Sequence, residues 1–230
     1  MGDVEPFFVL RGDSASKLAR MRQETLEKYD LHGGYLAAFE DAEGIQNFLN
    51  AQQNYPLLKG SQTNLFKCFL PQAWMIGREN GVSGFVHPEG IYDDPNGGEL
   101  RSQIYKRLKS HFQFQNETAL FPIGNRNKFS INIYHSSEDL VNLCHIANLF
   151  SAKTVDGCFK HDGRGPVPGI KDENDQWNLQ GHARRIVHVT KKELALFAKL
   201  YDDAGTPPMH ARLPALHSEE LVGVPGHAPV

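Results

Sequence analysis

With 230 residues, 40% of them apolar and 22% charged, the chain has the composition of a folded globular protein and the length for a sizeable core. A formal charge of −3 and a pI near 6.4 give no support to a freestanding nucleic-acid binder, though they leave room for a local basic face. No apolar run reaches membrane-spanning length, the N-terminus lacks a secretory leader, and Cys68, Cys144 and Cys158 have no paired spacing, so reduced thiols in a cytoplasm and no membrane partner are expected.

Phe7-Phe8-Val9-Leu10 is a short apolar run, read as a strand or an extended arm. Arg11-Gly12-Asp13 has meaning only with extracellular display. Asp13-Ser14 offers an N-cap to a helix with Leu18, Met21 and Tyr29 on one side, ended by His32-Gly33-Gly34. A second amphipathic segment carries Leu36, Phe39, Ile45, Phe48 and Leu49. Thr63 or Asn64 caps the next helix, Asn64 to Arg78, where Pro71 predicts a kink or break and Asn80-Gly81 a stop.

Val82–Val86 reads as a strand buried on both faces, and the polar loop His87–Gly98 lies at its carboxyl end, where open α/β sheets gather their chemistry. Asp93 and Asp94 in that loop could serve metal ligation or base catalysis, but the reading preferred is that of turn formers ahead of Gly97-Gly98. The spacing then predicts a helix over Glu99–Ser110, with Leu100, Ile104 and Leu108 inward and Arg101, Lys106, Arg107 and Lys109 outward as a basic face suited to phosphates. Phe112–Glu117 alternates like a half-exposed strand, and a short loop joins it to Phe129–Tyr134, which predicts antiparallel pairing.

Ser137–Phe150 reads as a helix. Residues 156–181 are rich in Gly, Asp and Pro. Cys158 and His161 form a C-x-x-H pair without a second spaced pair, so no metal site is expected. Arg184–Val189 reads as a strand, Thr190 with Glu193 as a capping box for the helix Lys191–Tyr201, and the remainder, with Pro214, Pro225 and Pro229, as a poorly ordered tail. The organisation expected is a helical lead-in (1–62), an α/β segment (63–150), a mixed extension (151–205) and the tail (206–230).

Three stretches in order resemble one family: Gln62-Thr63-Asn64-Leu65-Phe66-Lys67-Cys68-Phe69-Leu70, then Gly81-Val82-Ser83-Gly84-Phe85-Val86-His87-Pro88-Glu89-Gly90, then Phe112-Gln113-Phe114 with Leu120-Phe121-Pro122 and Phe129-Ser130-Ile131-Asn132-Ile133-Tyr134. They resemble the later part of the catalytic domain of large adenine-specific (N6) DNA methyltransferases of restriction–modification and phage defence, over residues 1–135 and more weakly to about 220. The resemblance implies an α/β fold: part of a class I, Rossmann-like methyltransferase sheet with an antiparallel last strand, followed by a mixed α+β extension. It implies S-adenosylmethionine as cofactor and double-stranded DNA as partner, with the target adenine extruded from the stack.

By the same resemblance, Phe121 stands where the family stacks an aromatic on that base; it serves equally well as a sheet-edge core residue. Arg126 and Lys128 on the same loop would meet DNA phosphates, and Asn64, His87, Pro88 and Glu89 would lie near the site. The family's Gly-rich cofactor turn and Pro-Pro catalytic loop occur nowhere in the sequence, so no catalytic residue is assigned and the chain reads as a truncated or split member that is inactive alone. Two other readings stay open: a non-catalytic DNA-binding or partner module that docks on a separately encoded N-terminal half, and a metal-dependent hydrolase built on His87, Asp93 and Asp94. An incomplete sheet would leave Val82–Val86 with an unpaired edge, hence poor solubility alone.

Overall fold

A computed structural model describes residues 2–10, 12–62 and 64–222. Arg11, Thr63, Pro225 and Pro229, all singled out above, lie outside the described residues. Among the described residues no helix is long and apolar enough to cross a membrane. The chain forms two compact units that divide between Asn54 and Tyr55, rather than at residue 62.

The first unit is helical. The opening apolar run forms a short helix, α1 (Phe7–Leu10), rather than a strand. Ser14 caps α2 (Ala15–Lys28) by accepting from the Lys17 backbone N–H. The chain turns at Asp30, whose φ is +50°, so Gly33 and Gly34 belong to the first turn of α3 (His32–Asn50) instead of ending α2. No residue of α3 is buried; Leu36, Phe39, Ile45 and Phe48 are exposed.

The second unit is built on a five-stranded mixed sheet in the order β1-β3-β2-β4-β5. Asn64 caps α4 (Leu65–Ile76), which runs through Pro71 without a break. The strand β1 (Ser83–Pro88) follows, then a short helix α5 (Gly90–Asp93) and α6 (Gly98–Tyr105). Next come β2 (Leu108–Gln115), β3 (Lys128–Tyr134), β4 (Asn142–Leu149), α7 (Ala152–Lys160) capped by Ser151, β5 (Val187–Thr190) and α8 (Lys191–Tyr201). The predicted β2–β3 antiparallel pair and the Thr190–Glu193 capping box are both present.

Several expectations are corrected. Among the described residues β1 pairs only with β3, antiparallel, so it is a sheet edge and not a strand buried on both faces; Val86 is 56% exposed. The helix expected to reach Ser110 ends at Tyr105, and Arg101 points inward. Ser137–Phe150 is not a helix: its centre is β4, which lies parallel to β2 and antiparallel to β5. Nearly every residue from Leu143 to Phe150 is buried, so its apolar spacing satisfies a helix and a fully covered strand alike. Gln113, read as solvent-facing, is buried, and its Oε1 accepts the Asn148 backbone N–H at 3.2 Å. Finally, residues 206–222 pack into the unit. The Ala211 carbonyl accepts from the buried Tyr105 hydroxyl at 2.7 Å, and Leu213 and Leu216 join the core.

Candidate functional site

Strand alternation divides the sheet into two unlike faces. The pairing registers place Val86 and Pro88 of β1, Phe129 and Ile131 of β3, and Phe112 and Phe114 of β2 on one side. Toward β4 this apolar face is closed by Cys158 and Val155 of α7. Toward β1 it stays open, and the loop between β2 and β3 hangs over the opening. Asn116 shapes that loop from inside: its Nδ2 donates to the carbonyls of Phe121 and Ile123, and its Oδ1 accepts the Phe121 N–H. Phe121 is thereby held at the rim, 42% exposed, with its ring edge-on to Phe129 at 4.8 Å.

The result is an open apolar groove of about 460 Å³ lined by Val86, His87, Pro88, Phe121, Ile123 and Lys128 among others. Four of the residues named from the sequence, His87, Pro88, Phe121 and Lys128, line it, but the His87 ring is buried on the opposite face of β1 beside Tyr134. Arg126 is on the same loop and exposed, outside the groove lining. Asn64 stands apart as the exposed cap of α4, although Phe66 from that helix stacks on His87 at 5.5 Å.

Glu89 is not at the groove surface but at the centre of the sheet's other face, which is polar and buried. His145 on β4 places Nε2 3.2 Å from the Pro214 carbonyl, and its Nδ1 2.8 Å from Nδ1 of His111 on β2. His111 Nε2 reaches Glu89 Oε1 at 3.1 Å. Burial, with the adjoining His111, holds the His145 pKa down at about 3, so its ring is neutral. A carbonyl can only accept, so His145 donates through Nε2–H and accepts at Nδ1. His111 must then donate at Nδ1, which leaves one proton for the His111–Glu89 contact. Burial opposes a charged Glu89, but His111 and a hydrogen bond from Ser130 outweigh it and hold its pKa below the usual range.

The line continues through β3. Tyr92 donates to Asn132 Oδ1 at 2.6 Å, and Asn132 Nδ2 donates to Ser130 Oγ at 2.8 Å. His87 Nδ1 lies 2.9 Å from the Pro88 carbonyl, so its Nε2 accepts from the Tyr134 hydroxyl at 3.2 Å. Burial lowers the His87 pKa and keeps the ring neutral. His111 and Asn132 were not named from the sequence. The signal was there: Ser130, Asn132 and Tyr134 alternate, as do His111 and Gln113.

The metal reading on His87, Asp93 and Asp94 finds no geometry. Asp94 accepts the Asn96 backbone N–H at 2.9 Å, as a turn former does, and pairs with Lys67 at 3.0 Å. His87 Nε2 is taken by Tyr134, and among the described residues no group of three His, Cys, Asp or Glu is placed to hold a metal.

No protein-family model matches the chain, and no curated protein matches it. Among solved structures it is similar to the M protein of the type I restriction enzyme EcoKI, with a TM-score of 0.40 and 12% sequence identity. That similarity covers 66% of this chain and 41% of the M protein, so the chain spans less than half of that protein's length.

Proposed function

We propose that this chain supplies the target-base side of an S-adenosylmethionine-dependent DNA adenine-N6 methyltransferase, with the cofactor and the Pro-Pro catalytic loop contributed by a separate half. In this reading the groove beside β1 receives the extruded adenine, Phe121 stacks on it, and Arg126 and Lys128 meet the neighbouring phosphates. One observation carries it: an aromatic ring that would serve the core equally well is held out at the rim of an apolar groove by a loop with its own internal hydrogen bonds. An amine inside the duplex is out of reach of a methyl donor, so the chemistry needs such a receiving surface.

Stacking a base on an aromatic ring is worth roughly 1–3 kcal/mol, which sets the size of the test. A single-stranded oligonucleotide carrying 2-aminopurine should lose fluorescence on binding the chain. Phe121→Ala should weaken that binding by about tenfold, and Phe121→Tyr should preserve it. Equal quenching by Phe121→Ala would refute the stacking role. The chain alone should retain no S-adenosylmethionine in equilibrium dialysis; tight retention would overturn the split arrangement. A non-catalytic DNA-binding module would give the same fluorescence result, and methyl transfer to adenine after mixing with a cofactor-binding half separates the two.

A further inference from the structure

A second concavity, of about 400 Å³, lies on the opposite side of β1, between the end of α4, the start of β2 and the segment leaving β3. Its base is Trp74, set edge-on to Tyr134 at 5.9 Å, and the guanidinium of Arg107 lies 4.8 Å from the Trp74 ring. Arg107 is fixed from behind: one terminal nitrogen donates to both the backbone carbonyl and the side-chain Oε1 of Gln103, each at 3.0 Å. Its Nε and second terminal nitrogen meet no acceptor among the described residues. The buried indole N–H of Trp74 has none either.

The rim adds to the same chemistry. Arg78 also lines the notch, without an ion pair among the described residues, and so do Ser136 and Ser137. Glu79 is the one carboxylate in the lining. Lys109 nearby is paired with Glu138. The His135 imidazole in the same wall lies 3.3 Å from Glu138, which raises its pKa, but burial and the charge of Lys109 outweigh this and lower it; Glu138 is itself paired with Lys109, which leaves the two guanidiniums facing Glu79 as the charges of the lining.

We propose that this notch is a phosphate-binding site, in which one phosphoryl oxyanion takes the free edge of Arg107, a contact from Arg78 and the hydroxyls of Ser136 and Ser137. A guanidinium set over an indole and hydrogen-bonded to Gln103 holds its planar fork of remaining donors in place, which suits two oxygens of a phosphoryl group. The oxyanion belongs to a nucleic-acid backbone or to a small phosphorylated molecule; the chemistry recognised is the same. The site is independent of Phe121 and of the groove.

The sequence contains two tryptophans, Trp74 and Trp177, and Trp177 stacks on Phe150 at 4.5 Å, remote in chemistry from the notch. In a Trp177→Phe chain, Trp74 emission should change saturably on adding inorganic phosphate at constant ionic strength, whereas chloride should leave it unchanged. Arg107→Gln should weaken the effect by about tenfold or more, Arg78→Gln should weaken it less, and Glu79→Gln should strengthen it. Isothermal titration of the unsubstituted chain with phosphate repeats the measurement should Trp177→Phe fail to fold. A response to a 12-nucleotide single strand at far lower concentration than to phosphate assigns the nucleic-acid source; a response to phosphate and a nucleoside monophosphate but not to the strand assigns the small molecule. No saturable response to any of them, or the same response in Arg107→Gln, overturns the site.

Discussion

Arg101 shows how one side chain can organise a segment far away in sequence. It is 1% exposed and has no carboxylate partner among the described residues; instead its Nε and one terminal nitrogen donate to the His210 carbonyl, and the other terminal nitrogen donates to the carbonyls of Ile91 and Asp94. The planar fork thus ties α5 and the turn after it to the segment following α8. Gly98 lets that segment approach, since a Cβ there would fall 2.7 Å from the His210 ring. Truncation would leave the buried Ile91 and His210 carbonyls without this donor, while Asp94 keeps the Gly97 N–H, so Arg101→Ala should destabilise the chain by about 3 kcal/mol in urea unfolding. Arg101→Lys should recover little of this, because a point charge cannot present a fork to carbonyls on both sides. A loss below 1 kcal/mol in Arg101→Ala would contradict the clamp. Nothing in the sequence around Arg101 announces this role. Helical periodicity puts it beside charged neighbours, and only the return of residues 206–222 turns an outward arginine into a buried one.

The edge element β1 carries the clearest liability. Ser83–Pro88 contains no charged residue, pairs on one side only and exposes Val86, with Val82 just before it 72% exposed. An uncharged edge is a template for pairing with another chain. Val86→Lys should therefore suppress concentration-dependent light scattering near the pI of about 6.4 while leaving the urea midpoint within about 0.5 kcal/mol of the parent. Unchanged scattering would show that aggregation starts elsewhere. At this scale the sequence was legible wherever a local device decides the structure: the Asn64 and Ser14 caps, the Thr190–Glu193 box and the short β2–β3 connection all act within a few residues. It misled where burial by distant elements decides. The apolar spacing of Leu143, Ile146, Ala147 and Phe150 fits a helix, yet β2 and β5 on either side make it a covered strand. Alternation in β2 was read correctly as a strand, but its polar side was assigned to solvent, because a second covered face filled with hydrogen bonds leaves the same pattern as a wet one.

That polar face governs how the molecule as a whole should respond to pH. The His145 pKa falls from the ordinary value near 6.5 to about 3 in the fold, chiefly through burial. Below pH 6.5 the unfolded chain takes up a proton at this position and the folded chain does not, so protons favour unfolding and stability rises with pH across the window from about 3 to 6.5. Between pH 8 and pH 5 the loss from His145 alone should be about 2 kcal/mol. His87 and His217, both lowered mainly by burial, act in the same direction. Glu89 has the sign of a stabilised carboxylate: its contribution is complete above its ordinary value near 4.5 and is lost only as pH falls below that. The two effects are therefore separable in pH, histidines first and carboxylate later. Urea midpoints at pH 8, 6.5 and 5 should fall steadily, and nitrogen NMR should find His145 still neutral with its proton on Nε2 at pH 5. A flat stability profile over that range, or a His145 ring that titrates near 6.5, would mean that the line from Pro214 to Glu89 is not closed to water. Because the line joins β2, β3 and β4 to the segment after α8, its failure at low pH should release that segment as well; hydrogen exchange at Leu213 and Leu216 should then quicken together with the amides of β2 rather than before them.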